Sequence, residues 1–310
     1  EGVQNPVLDQ YVRGAKRLQD NGFHVILAPS DFFWGNGENW VNSTSSPLLH
    51  AYLERDRRFQ DYYVTLTNRL VARIIAGGVT NFSLQTLNEP RYCAAGRPNL
   101  RGWTAMERRI IDGARTAAPG LHIVSSGVCT AADQPLSREA SYRSLGRYLP
   151  DHNIENITYA LHMRNPRLLH IADHQSFVDG TVLRYPYQSI STSAGLTEKT
   201  RREIQVYNQI QPDAELYSRI FSNIASVARR RGDRIIVTEW SISKPDYGLP
   251  REDRVTLVTD VLRASQAAGI PIIYNGLLGR DGLSSTRDNI MRPSHDFDPQ
   301  ILAAFGSVNR

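Results

Sequence analysis

The chain has very little lysine, very little cysteine and no long apolar run, and each shortage excludes something. Its lysines are Lys16, Lys199 and Lys244, against a formal net charge of only +5 carried mostly by arginine. The arginines are spread along the chain among acids, which reads as codon bias and excludes a dedicated nucleic-acid surface. The one basic run, Arg229-Arg230-Arg231, falls at a predicted helix end, where cations complement the helix dipole. The two cysteines, Cys93 and Cys129, form no metal-ligand motif. Each follows a predicted strand end, so a disulfide on one rim and a pair of free thiols both stay open. No apolar stretch approaches the roughly 20 residues of a membrane-spanning helix. The first residues carry no signal-peptide pattern and lead from a polar stretch straight into a helix. Internal repeats and low-complexity tracts are missing too.

What is present is a regular alternation. With 41% hydrophobic and 22% charged residues, the composition is that of a globular protein. Apolar residues at helical spacing mark helices over 6–22, 58–76, 104–118, 214–231 and 251–268, several closed by a glycine stop such as Asn21-Gly22 or Gly77-Gly78. Short apolar runs mark strands over 23–28, 82–87, 121–125, 156–162, 234–239 and 270–274. A basic helix is expected near 199–209 and a short terminal one over 299–305. Strand-loop-helix alternation with helices of this length predicts a parallel α/β sheet with right-handed crossovers. Six strands are two short of a closed eight-stranded barrel.

Two of these strands end in a glutamate. The run Phe82-Ser-Leu-Gln-Thr-Leu-Asn88-Glu89-Pro90 leaves the sheet at Glu89, because Pro90 cannot continue the strand ladder. Ile236-Val-Thr-Glu239-Trp240 ends the same way. Ligands in parallel α/β folds bind at the carboxyl ends of strands. Two carboxylates facing each other there are the equipment for cleaving a glycosidic bond: one, held protonated, donates to the leaving oxygen, and the other, ionised, attacks the anomeric carbon. A loop over 29–46 carries Asp31, Phe32, Phe33, Trp34 and Trp40. Its aromatics fit either a small satellite core or a shelf against which sugar rings stack. A long connection over 163–212, with Tyr185-Pro-Tyr187 inside it, has the size of insertions that line or cover a site.

Thr86-Leu-Asn-Glu-Pro90 resembles the Asn-Glu-Pro strand end of the retaining (β/α)8-barrel glycosidases, the group that includes glycoside hydrolase family 5 cellulases and mannanases. Ile236-Val-Thr-Glu239-Trp240 resembles their nucleophile strand, the stretch from Trp103 to Pro119 their Trp…Arg…Pro helix, and Asp298-Pro-Gln-Ile-Leu-Ala-Ala their closing segment. The resemblance covers 7–305 and implies a TIM barrel forming one domain over 1–310. It begins at the third strand of the pattern, so the family's first two strands are expected upstream of Glu1. It implies Glu89 as general acid/base, Glu239 as nucleophile and Asn88 as the amide that bonds the sugar 2-hydroxyl. His162 takes the first position of the family's His-x-Tyr strand end. Trp34, Trp40, Asp31, Trp240, Tyr274 and Asn275 complete the expected substrate contacts.

Three positions depart from that pattern. The tyrosine that contacts the nucleophile is replaced by Arg164, which, pointed at Glu239, would keep that carboxylate ionised and weaken it as a nucleophile. The histidine after the third strand is replaced at Ser30, and the floor tryptophan of the last strand at Tyr274-Asn275. The expected function is a retaining, endo-acting hydrolase of β-linked glycans, cellulase- or mannanase-like, with no cofactor or metal. Its partner is an oligosaccharide or polysaccharide, not nucleic acid or membrane, and the chain is expected to be a monomer that is secreted or periplasmic. The alternative is a carbohydrate-binding relative of the same barrel whose chemistry is lost or altered.

Overall fold

The computed structural model describes residues 6–28, 57–87, 100–125, 142–143, 145–147, 149–163, 184–191, 195–240, 249–274 and 303–304. The elements follow the expected alternation: α1 (Pro6–Asp20), β1 (Val25–Leu27), α2 (Arg57–Ala76), β2 (Phe82–Gln85), α3 (Leu100–Ala117), β3 (His122–Ser125), β4 (Ile157–His162), α4 (Glu198–Ile210), α5 (Ala214–Arg231), β5 (Ile235–Trp240), α6 (Arg251–Ala268) and β6 (Ile272–Tyr274). A 3-10 turn spans Leu145–Arg147. The strands lie in chain order, β1-β2-β3-β4-β5-β6, and each described pairing is parallel. The α/β class and the parallel sheet are therefore as the alternation predicts. The chain divides into two compact units, residues 1–131 with 148–160 and residues 132–147 with 161–310.

In the first unit the helices lie on the sheet through residues at helical spacing. Leu70, Val71 and Ile74 of α2 meet Ile111 and Ala114 of α3 over Leu84 and Ile123 of the strands, all of them buried. Gly113 is what lets α2 and α3 approach closely, since a Cβ there would stand 2.6 Å from Val64 Cγ1. Strand β1 is shorter than the run 23–28 suggests. Phe23 is exposed, and the His24 side chain is taken up by a polar chain that runs across the amino ends of the strands.

With neutral imidazole rings that chain has one direction. Asn81 Oδ1 can only accept, so His24 donates to it through Nδ1 at 2.7 Å. His24 Nε2 is then an acceptor, and Ser83 Oγ donates to it at 2.7 Å. The Ser83 oxygen accepts in turn from His122 Nδ1 at 2.7 Å, and His122 Nε2 accepts from Thr158 Oγ1 at 2.9 Å. Four adjacent strands are thus joined by side chains as well as by the ladder.

In the second unit α5 presents Leu216, Ile220, Phe221, Ile224 and Val227 as one buried stripe. Asp213 caps it, its carboxylate accepting from Leu216 N at 2.7 Å. Gly232, at φ 69, closes it in the left-handed region that suits glycine. Helix α6 buries Leu257, Val258, Val261 and Leu262, and β5 contributes Ile235 and Val237 to the core.

Ser83 is the joint of the polar chain, so Ser83→Ala strands a ring nitrogen on each of two histidines. The expected loss is about 1–3 kcal/mol of unfolding free energy, read as a lower denaturant midpoint. A midpoint equal to that of the parent chain would contradict the chain as described.

Candidate functional site

Glu239 is the penultimate residue of β5, at the carboxyl end where the sequence expects it. The local backbone there is irregular. Val237 pairs with Ile272 and Trp240 with Tyr274, so three steps along β5 match two along β6, and the extra residue falls at Thr238-Glu239. Such a bulge re-aims a side chain and favours barrel rims and active sites. No glycine or turn residue announces it in the sequence. His162 is the last residue of β4 and is buried. Tyr274 is the last residue of β6. Trp240 is 1% exposed and belongs to the core of the second unit, so its indole packs against protein. Glu89, Asn88, Arg164, Trp34, Trp40, Asp31 and Asn275 lie outside the described residues, as do Cys93 and Cys129.

The described part of the first unit contributes a carboxylate that the motifs do not mention. Glu107 of α3 is wholly buried. Thr86 Oγ1 donates to its Oε1 at 2.5 Å, while Ser125 Oγ, at 2.9 Å, and His152 Nε2, at 2.6 Å, donate to its Oε2. The donors come from three places: just past β2, the last residue of β3, and the segment entering β4. Thr86 still belongs to the sheet, its N–H bonding Val124 O at 3.2 Å. Tyr63 of α2 donates to the Thr86 carbonyl at 2.8 Å. His152 stacks on Tyr159 with the rings 6° from parallel, and its carbonyl accepts from Arg108 Nη1 at 2.8 Å. The knot fixes Thr86, two residues before Asn88-Glu89.

In the second unit the long connection is tied to α6. Asp253, buried at the start of α6, accepts from Arg184 Nε at 2.7 Å and from Tyr185 N at 2.8 Å. Tyr185 donates to Asp260 Oδ2 at 2.9 Å, and Tyr207 of α4 donates to the Arg184 carbonyl. Burial pushes the Tyr185, Tyr207 and Tyr217 phenols above their ordinary range, so they remain protonated donors at any ordinary pH. Asn208 holds Ile190 from both sides, accepting from its N at 3.1 Å and donating to its O at 2.8 Å.

With that geometry in view, comparison with solved structures gives a consistent answer. The chain is similar to an endoglucanase at TM-score 0.63 and 14% identity, covering 97% of this chain and 78% of that one. A hyperthermophilic endo-β-1,4-glucanase, in complex with substrate, matches at TM-score 0.63 and 15% identity over 98% of this chain and 79% of its own. A glycoside hydrolase family 5 lichenase from Caldicellulosiruptor sp. F32, a mutant in complex with cellotetraose, matches at TM-score 0.61 and 13% identity over 100% and 76%. The chain has the fold of these enzymes. It is a cellulase-like TIM-barrel fold, with six strands among the described residues. No family model matches the sequence, and no curated protein does.

Glu107 is the residue that motif reading passes over, although the sequence held a signal. Trp103, Met106, Ile110, Ile111 and Ala114 form the apolar stripe of α3, and Glu107 sits inside that stripe. A charge in the middle of an apolar face is an invitation to look for its partners. Glu107→Gln preserves shape but offers one acceptor oxygen where three donors converge. Loss of about 2 kcal/mol or more is expected, visible as a lowered thermal midpoint. Undiminished stability in that variant would mean that the three donors are not held by the carboxylate.

Proposed function

We propose that the chain is a glycoside hydrolase that cleaves β-linked glycans of the cellulose or mannan type, with Glu89 as general acid/base and Glu239 as nucleophile. The observation that carries this reading is Glu239 in a bulge at the carboxyl end of β5, in a chain whose fold is that of endoglucanases. Support also comes from the neighbours themselves, among them a lichenase crystallised with cellotetraose.

The chemistry runs in two displacements. Glu89, protonated, donates to the glycosidic oxygen as the bond to the anomeric carbon breaks. The Glu239 carboxylate attacks that carbon from the opposite face and forms a glycosyl ester. Glu89, now ionised, takes a proton from water, the water attacks the anomeric carbon, and Glu239 leaves as carboxylate with net retention. Asn88 bonds the 2-hydroxyl, a contact that tightens as the ring approaches the oxocarbenium-like transition state. His162 and Tyr274, at the carboxyl ends of β4 and β6, stand at strand ends on either side of β5 in the strand order. This reading carries the expectations of one barrel domain, a monomer and a secreted or periplasmic location.

The replacements at Arg164, Ser30 and Asn275 favour a second reading, a barrel that binds oligosaccharide without turning it over. Screening β-glucans, mannans and xylans with product analysis and binding in parallel separates the two. Hydrolysis is expected to fall at least about a thousand-fold in Glu239→Gln and in Glu89→Gln, and azide is expected to restore turnover of an activated substrate to Glu89→Ala. Full activity in Glu239→Gln would remove the nucleophile assignment, and binding with no products would favour the second reading.

A further inference from the structure

Thr86 is held at each of its polar atoms. Its N–H bonds Val124 O at 3.2 Å, its carbonyl accepts from the Tyr63 phenol at 2.8 Å, and its hydroxyl donates to Glu107 Oε1 at 2.5 Å. The three partners belong to β3, α2 and α3, and all four residues are buried. Glu107 is held in turn, its Oε2 accepting from Ser125 Oγ and His152 Nε2. The residue that ends the described part of the first catalytic strand is thus gripped from a strand and from two helices at once.

Strand pairing alone does not require this. A strand end under helices can be closed with apolar side chains, and exchanging a buried ionic group for such packing is often neutral or stabilising. What the carboxylate adds is direction. It is satisfied only when each donor stands in place, whereas apolar contacts tolerate a shifted backbone. Three residues lead from Thr86 to Glu89, a reach of about 10 Å at most. An angular error at Thr86 is carried along that lever to the carboxyl that must meet the glycosidic oxygen within hydrogen-bond distance.

We propose that Glu107, acting through Thr86, is a positioning residue for the general acid Glu89. This role rests on the function proposed above. Misplacement of a catalytic group by about 1 Å can cost about a hundredfold in rate, so a buried side chain that touches no substrate can still govern the step.

Leaving groups separate positioning from stability. The bond from the anomeric carbon to the leaving oxygen breaks as Glu89 passes its proton to that oxygen. A dinitrophenolate departs without the proton, whereas a sugar hydroxyl must receive it. The experiment measures kcat/KM of the whole chain on cellotetraose and on dinitrophenyl β-cellobioside, and takes their ratio, from which the fraction of folded enzyme cancels. Glu89→Ala supplies the signature of a lost acid, and its ratio is expected to fall at least about a hundredfold. In Glu107→Gln and in the near-isosteric Thr86→Val the ratio is expected to fall at least about tenfold. Thr86→Ser, which keeps the hydroxyl, is expected to retain the parent ratio. Ser83→Ala, destabilised toward the amino end of β2, is expected to leave the ratio unchanged. If Glu107→Gln does not fold, Thr86→Val decides. An unchanged ratio in either folded variant, or a Thr86→Val chain that does not fold, overturns the proposal and leaves the Glu89 assignment standing. Equal loss on both substrates in Glu89→Ala, or a parent chain that leaves cellotetraose uncut, overturns the function reading and this role with it.

Discussion

A carboxylate with no access to water holds the carboxyl ends of two neighbouring strands. Glu107 takes hydrogen bonds from beyond β2, from the end of β3 and from the segment entering β4. An isolated charge at that depth would be strongly unfavourable, and three donors at 2.5–2.9 Å are what makes the position tolerable. The reciprocal constraint matters more for function. Each donor must keep its place for the carboxylate to be satisfied, so the backbone at Thr86 and Ser125 is fixed from behind by a side chain of a helix. Rigid support of this kind is what a catalytic constellation on strand ends requires.

The first unit is therefore tied by polar groups at both ends of its strands and by apolar packing between them. At the amino ends the chain from Asn81 through His24, Ser83 and His122 to Thr158 spans four strands. At the carboxyl ends stands the Glu107 knot. Leu84, Ile123 and Val124 lie between, buried under α2 and α3. Such networks favour one arrangement, because a slip in register leaves several groups unpaired. The second unit uses the same device on its long connection, where Asp253 and Asp260 of α6 fix Arg184 and Tyr185.

Much of this was legible in the sequence, and the reasons for the rest are physical. Helices α2, α5 and α6 begin and end within a residue or two of where periodicity and glycine stops put them, because a stripe of buried residues dominates their energetics. Strands came out shorter than their apolar runs, as β1 did, where an end residue such as His24 gives its side chain to a neighbouring strand. The bulge at Thr238-Glu239 left no trace in composition, since it arises from pairing with β6. Glu107 was visible as a charge in an apolar stripe, but its partners come from sequence-distant segments that only folding assembles. Of the candidate site, the strand-end positions of His162, Glu239, Trp240 and Tyr274 follow directly from the alternation. The burial of Trp240, expected from the sequence as a substrate contact, does not.

The central claim is that Glu239 forms a covalent bond to sugar during turnover. Incubation with a 2-deoxy-2-fluoro-β-cellobioside bearing a dinitrophenolate leaving group, followed by intact-mass and peptide mass analysis, tests it most directly. The account predicts one fluorocellobiosyl adduct per chain, carried on the peptide that contains Glu239 and absent from Glu239→Gln. An adduct on any other residue, or turnover of β-glucan by a chain that never acquires one, would contradict it.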